Sequence, residues 1–211
     1  MFYFDERPLA EILSEKLSYR VTIDNDTRAM TYGEYMVGGV TNEKNIIFVN
    51  ISWGLGIGII IDGKVYTGKS GFSGEFGHIS TYDNEIICHC GKKGCLETYS
   101  SATGVARTAR EFLETRKDPS LLRELDPNEI TSKDVYDAAI QGDEIAKEIF
   151  EYTGKILGEC LADFVAFSAP EAIVLFGGLT KAGDLILNPI RENMDKNVLP
   201  LWKGKIKLLF S

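Results

Sequence analysis

Four side chains that bind soft metals lie close together in this sequence: His78, Cys88, Cys90 and Cys95, spaced H-x9-C-x-C-x4-C. Thiolates and a neutral imidazole are the usual tetrahedral ligands of Zn²⁺. Gly91 and Gly94 fall between the last two thiolates, where a tight loop must turn back on one ion. Three sulfurs and one nitrogen leave no open position, so such a site is structural and not a source of hydroxide. In comparable sites the metal contributes on the order of 10 kcal/mol to local folding. Three free thiols beside an incidental histidine are the plainer reading, but a loop this rich in glycine has little else to hold it. His89 is the weaker imidazole, because three consecutive ligands, Cys88-His89-Cys90, would crowd one ion. Cys160, on the apolar face of a helical stretch, reads as inert core.

A second set of residues could bind a polyol. Asn25-Asp26 stands where a β-branched stretch gives way to a helical one, and an Asx pair there can face a cleft. The aspartate could accept a hydroxyl proton, as a general base must, while the asparagine offers both a donor and an acceptor. By themselves the two residues read first as a plain helix N-cap. Glu75 lies three residues before His78 and Glu97 two after Cys95, so a metal that fixes this loop also fixes both carboxylates. Taken alone, the glutamates are solvated loop charges.

A third set could cradle phosphate. Ser52-Trp53-Gly54-Leu55-Gly56-Ile57-Gly58 joins two apolar strands, and Gly54 and Gly56 would let backbone N–H groups approach phosphate oxygens. The competing reading is a hairpin whose glycines serve tight sheet packing. Gly177-Gly178 follows the apolar run 173–176, a common pattern that is weak by itself.

The elements that must position these groups follow from periodicity and punctuation. Leu9, Ile12, Leu13 and Leu17 recur at helical spacing after Pro8 and predict a helix over 8–17. Residues 21–23 predict a short strand, and a helix over 27–37 follows, stopping at Gly38-Gly39. Strands over 45–52 and 58–61 pair, with Asp62-Gly63 as the turn into 64–66. Residues 68–95 are glycine-rich and irregular, and 114–130 is a charged segment with proline. Helices are expected over 104–113, from a Thr131 or Ser132 cap through 140, over 145–167 and over 184–196. A buried strand at 172–176 and a closing strand at 205–210 complete the series. Strands alternating with helices indicate an α/β fold.

The 211 residues can bury a real core and fit one large domain or one and a half small ones. A net charge of −8 is opposite to the Lys/Arg excess of a nucleic-acid-binding face, so any DNA contact needs a module outside this chain. The longest apolar run, 49–61, is short of the roughly 20 residues of a membrane span and is interrupted by Asn50, Ser52 and glycines. No secretory-signal pattern opens the sequence, and a cytoplasmic location is expected. In a reduced compartment, three cysteines within eight residues point to a metal site rather than a disulfide framework. The abrupt opening before a helix and the stop on an apolar strand suggest a piece of a longer protein.

Gly74-Glu75-Phe76-Gly77-His78, followed by Cys88-His89-Cys90-Gly91-Lys92-Lys93-Gly94-Cys95-Leu96-Glu97, resembles the signature of the ROK (repressor, open reading frame, kinase) family, with the ligand spacing intact. The resemblance runs from about residue 8 to the end. It implies an actin-like, ribonuclease H-like ATPase fold, with 1–42 as a remnant of the N-terminal lobe and hinge. Residues 43–211 would be the C-terminal lobe, with its zinc loop at 71–97. It also implies that Asn25, Glu75, His78 and Glu97 contact a sugar or sugar derivative, His78 while ligating zinc. In the kinases of the family, Asp26 corresponds to the base that activates the hydroxyl to be phosphorylated. A homodimer or higher homo-oligomer is implied as well.

Two departures stand out against that pattern. ROK kinases carry Gly-Thr-Gly where this chain has Ser52-Trp53-Gly54, which removes a hydroxyl beside the terminal phosphate and adds bulk. Their second phosphate-binding element, an Asp-x-Gly-x-Thr turn, is not in the sequence. ATP and Mg²⁺ therefore have one jaw instead of two. Gly54, Gly56, Gly177 and Gly178 become either a residual nucleotide cleft or its vestige. The balance falls on the sugar-binding effector domain of a transcriptional regulator, with structural Zn²⁺. A glucokinase-like sugar kinase using Asp26 is the alternative, and this chain alone is expected to be inactive as one.

Overall fold

The computed structural model describes residues 3–4, 7–38, 42–81 and 86–211. Strand β1 (Tyr3–Phe4) pairs antiparallel with β2 (Arg7–Pro8), which runs directly into helix α1 (Leu9–Leu17). The strand expected over 21–23 does not form. No described strand lies beside it to complete a ladder, and the Val21 N–H donates instead to Ser14 Oγ at 2.9 Å. Helix α2 (Asp26–Val37) starts on an Asn25 cap that accepts the Arg28 N–H at 3.0 Å. It stops at Gly38; Gly39, the other half of the expected stop, lies outside the described residues.

Strands β3 (Ile46–Ile51) and β4 (Leu55–Ile61) pair antiparallel. β4 begins earlier than expected, because Leu55 pairs with Ile51 as soon as Ser52-Trp53-Gly54 has made the bend. Asp62 and Gly63, with φ of 49° and 76°, turn the chain into β5 (Lys64–Val65), as a tight two-residue hairpin requires. After the cysteine-rich loop come α3 (Glu97–Ser100), α4 (Ala102–Thr115) and α5 (Ser132–Ile140). The last of these is opened by a Thr131–Asp134 capping box. The chain closes with α6 (Glu144–Ser168), β6 (Ala172–Phe176), α7 (Asp184–Asn197) and β7 (Lys207–Phe210).

The main sheet is mixed, in the order β5-β4-β3-β6-β7, with β3, β6 and β7 mutually parallel. β3 is buried along its whole length, so both faces of the sheet are covered. Ile47, Val49, Ile51, Ile173 and Leu175 face the larger core with α4, α6 and α7. The alternate residues Ile46, Phe48, Val174 and Phe176 build a smaller core against Tyr35 of α2. On that side α2 rests almost on the strand backbone. A Cβ at Gly56 would stand 2.9 Å from Thr27 Oγ1, and one at Gly58 would stand 1.8 Å from Thr31 Oγ1. This close seat holds the N-terminus of α2 beside the 52–54 bend. No described helix is long and apolar enough to cross a membrane.

Candidate functional site

Beyond β5 the chain has little regular structure, and scattered backbone bonds shape it. Phe76–His78 is a 3₁₀ turn, while isolated bridges join Ser80 to Cys95 and Ile87 to Lys93. The Cys88 N–H donates to Lys92 O at 2.7 Å, and the Gly91 N–H donates back to Cys88 O at 2.9 Å. These turns gather His78, Cys88, Cys90 and Cys95, with one ligand atom from each all within 4.8 Å of one another. His78 Nδ1 is 3.8 Å from Cys88 Sγ, and Cys90 Sγ is 3.7 Å from Cys95 Sγ. A tetrahedral ion with Zn–S bonds of about 2.3 Å spans an S···S edge of about 3.8 Å. The cluster therefore has the dimensions to hold a metal ion as it stands.

The three thiols differ in acid–base character. Burial pushes the Cys95 thiol up to about 12 and raises that of Cys88, whereas the Lys92 backbone N–H lowers that of the exposed Cys90. A divalent metal would have to displace the protons of Cys88 and Cys95 to bind their thiolates, so metal uptake would weaken as pH falls. His89 lies outside the four. Cys160 sits buried on α6, its thiol pushed up to about 12 by burial, and is not among them either.

Beside the cluster lies a cavity of about 260 Å³ lined by Asn25, Asp26, Gly54, Gly56, Glu75, His78 and Glu97. Every sugar-binding residue expected from the sequence is on its wall. Thr27, Asn50 and Ser73 also line it, and no motif announced them; Ser52, from the glycine-rich motif, lines it too. Asn25 Oδ1 is committed to the helix cap, which leaves its amide Nδ2 as the donor for a ligand. Asp26 Oδ1 accepts its neighbour's N–H, from Thr27, at 2.7 Å. The two imidazole nitrogens of His78 divide their work: Nδ1 faces the cysteine cluster, and Nε2 stands 3.8 Å from Glu75 Oε2.

Glycines bring the carboxylates to this wall. A Cβ at Gly74, where φ is 100°, would lie 2.3 Å from Ile57 O, and one at Gly77 would lie 2.1 Å from Leu55 O. The Gly74-Glu75-Phe76-Gly77-His78 turn therefore lies directly on the backbone of β4. Glu97 is buried at the start of α3, with Oε2 accepting the Leu55 N–H at 2.9 Å. Its Oε1 has no hydrogen-bond partner among the described residues. His89 Nδ1 stands 3.5 Å from it, and a buried carboxylate oxygen without a hydrogen bond is costly unless a ligand supplies the donor.

The proposed phosphate loop has a packing explanation of its own. A Cβ at Gly54 would meet Glu97 Oε2 at 2.5 Å, and Gly56 faces Thr27. The bend is stitched to α4, with Ala102 N–H donating to Ser52 O and Thr103 Oγ1 to Trp53 O. Trp53 itself is 82% exposed. Gly177 lies outside the cavity wall, pressed against Asn50 and the Ile51 carbonyl, and Gly178 meets open space. A larger groove of about 790 Å³ between α4, α6 and α7 contains none of the residues singled out by the sequence.

The ROK family model matches residues 2–206. The chain belongs to the ROK family. It is 36% identical over 195 residues to a glucokinase of Halalkalibacterium halodurans, covering 92% of this chain and 59% of that protein. It is 32% identical over 201 residues to the xylose repressor of Bacillus spizizenii, covering 95% of this chain and 49% of that protein. In three dimensions it matches a ROK family glucokinase from Streptomyces griseus, solved in complex with glucose and AMPPNP. That match has a TM-score of 0.87 at 30% identity and covers 97% of this chain and 67% of the other. The chain thus spans between half and two thirds of the length of these ROK relatives, which include both enzymes and repressors. Its α/β architecture with a mixed sheet is that of the ROK sugar kinases, the actin-like ATPase fold.

Proposed function

We propose that this ROK lobe binds a monosaccharide or a close derivative in the 260 Å³ cavity and serves as the effector-sensing part of a transcriptional regulator. The observation that carries the sugar reading is Glu97 Oε1, buried and without a hydrogen bond among the described residues, on a wall shared with Asn25, Asp26, Glu75 and His78. A ring of acceptors with a few amide donors suits several hydroxyls at once. The cavity is also just below the roughly 300 Å³ at which pockets for larger small molecules begin. Held by His78, Cys88, Cys90 and Cys95, Zn²⁺ would supply a fixed, closed tetrahedron that locks the loop carrying Glu75 and Glu97.

The regulator reading rests on Ser52-Trp53-Gly54, which offers no threonine hydroxyl to a terminal phosphate, and on Gly54 and Gly56, which packing against Glu97 and Thr27 already accounts for. Residues 1–42 would belong with an N-terminal lobe and hinge, and 43–211 with the C-terminal lobe. A DNA-binding module would lie outside this chain. Sugar would shift a homodimer between DNA-competent and incompetent states only through unequal affinity for the two. Asp26 on the cavity wall and the similarity to glucokinases favour the alternative, an ATP-dependent sugar kinase.

The two readings separate in one experiment on the full-length protein. A hexose and amino-sugar panel is screened by thermal shift, and each hit is assayed for ADP release. Saturable binding without turnover is the expected result. Sugar-dependent ADP release that Asp26→Asn abolishes would replace the regulator with a kinase, and the absence of any thermal shift would remove the sugar site.

A further inference from the structure

Cys88, His89 and Glu97 form a second group of metal-ligating side chains, their ligand atoms all within 4.8 Å of one another. His89 Nδ1 stands 4.0 Å from Cys88 Sγ and 3.5 Å from Glu97 Oε1. Around a tetrahedral zinc ion the corresponding S···N and N···O edges are about 3.6 and 3.4 Å. Glu97 is only 9% exposed, and its Oε1 is the buried oxygen without a hydrogen-bond partner among the described residues. An imidazole, a thiolate and a carboxylate are all ordinary zinc donors. His89 has an exposed ring beside Cys88, yet it takes no part in the first set.

We propose that Cys88, His89 and Glu97 are a second, weaker site for Zn²⁺ or a similar borderline divalent ion. Cys88 would bridge it to the ion held by His78, Cys88, Cys90 and Cys95. The bridging sulfur is already a thiolate once the first ion has displaced its proton, so the second ion releases no further proton from it. Three protein ligands leave the fourth position to water.

The consequence concerns Glu97 Oε1, where a bound metal ion would take the space that a sugar hydroxyl needs. Metal in excess of one ion per chain competes with sugar for that oxygen and weakens sugar binding. The competition rests on the sugar reading above, whereas the second ion does not.

The test begins with protein carrying one equivalent of zinc, titrated calorimetrically with further Zn²⁺. Wild type and His89→Gln are compared, and the metal content of gel-filtered samples verifies the first ion in both. A second, weaker equivalent is expected in wild type. In His89→Gln it should weaken about tenfold or more while the first ion stays. A single equivalent in wild type, or a second equivalent indifferent to His89→Gln, overturns the proposal. The titration is then repeated with the sugar that gives the largest thermal shift at one zinc per chain. Weaker uptake of the second ion is expected, and unchanged uptake overturns the competition. If no sugar shifts the one-zinc protein, the sugar reading fails and the second-ion result is decided by His89→Gln alone.

Discussion

Gly58→Ala tests whether the seat of α2 on β4 builds the cavity. The added Cβ would lie 1.8 Å from Thr31 Oγ1, 2.4 Å from Thr31 Cβ and 2.5 Å from Thr31 Cγ2. Ordinary contact starts at 3.4 Å, so the helix must lift by roughly 1–1.5 Å or the strand must bow. Thr31 is fully buried and cannot rotate into solvent. Overpacking of this kind costs about 1–3 kcal/mol, which for a domain of this size lowers the melting temperature by roughly 2–4 °C per kcal/mol. The lifted helix carries Asn25 and Asp26 away from Glu75 and Glu97, so sugar affinity falls with stability. Gly56→Ala, at 2.9 Å from the single atom Thr27 Oγ1, should cost less. Gly178→Ala, whose Cβ meets nothing within 4 Å, serves as the control. Circular-dichroism melting and sugar calorimetry on the three variants give the order. A Gly58→Ala protein that melts within 1 °C of wild type, as ~0.3 kcal/mol would give, and binds sugar normally would refute the reasoning.

Glu97→Gln keeps an oxygen for the Leu55 N–H but removes the charge, and the loss of charge-assisted bonds should weaken sugar binding about tenfold to a hundredfold. Isothermal calorimetry reads this directly, and unchanged affinity would take Glu97 out of the site. Cys90→Ser removes one of four donors, so zinc content should fall and limited proteolysis within 86–97 should accelerate. Wild-type protection would deny the metal its organising role. The Thr131 hydroxyl holds the Asp134 carboxyl below the usual carboxylate range. A folded-state pKa depressed in this way contributes stability above the unfolded value, which is lost as pH falls through the folded one. Thr131→Ala should therefore cost about 1 kcal/mol at neutral pH, with the gap to wild type narrowing below about pH 4. Thermal melts across that range measure it.

The Cys/His cluster was legible because its chemistry is local: three sulfurs and an imidazole within 78–95 need only a few turns to meet. Periodicity and capping chemistry located the long helices to within a few residues, and of the two caps left open, Thr131 and Ser132, the structure uses Thr131. Propensity misled at 21–23, where β-branched residues had no neighbouring strand among the described residues to pair with. α3 is a single turn, too short to leave a periodic trace. Asn50, Ser52 and Ser73 join the cavity only once β3 and β4 have paired and the 71–81 segment has folded over them. Gly54 and Gly56 show a deeper ambiguity. A phosphate, a helix and a carboxylate all demand a missing Cβ, and only the fold places Glu97 against the first and Thr27 against the second.

The most direct measurement is sugar affinity in one preparation before chelation, after it, and after zinc is restored, with metal content followed throughout. Binding is expected to disappear with the zinc and return with it, because Glu75 and Glu97 would be aimed by the loop that the ion closes. A stripped, folded protein that binds sugar with undiminished affinity would contradict that expectation.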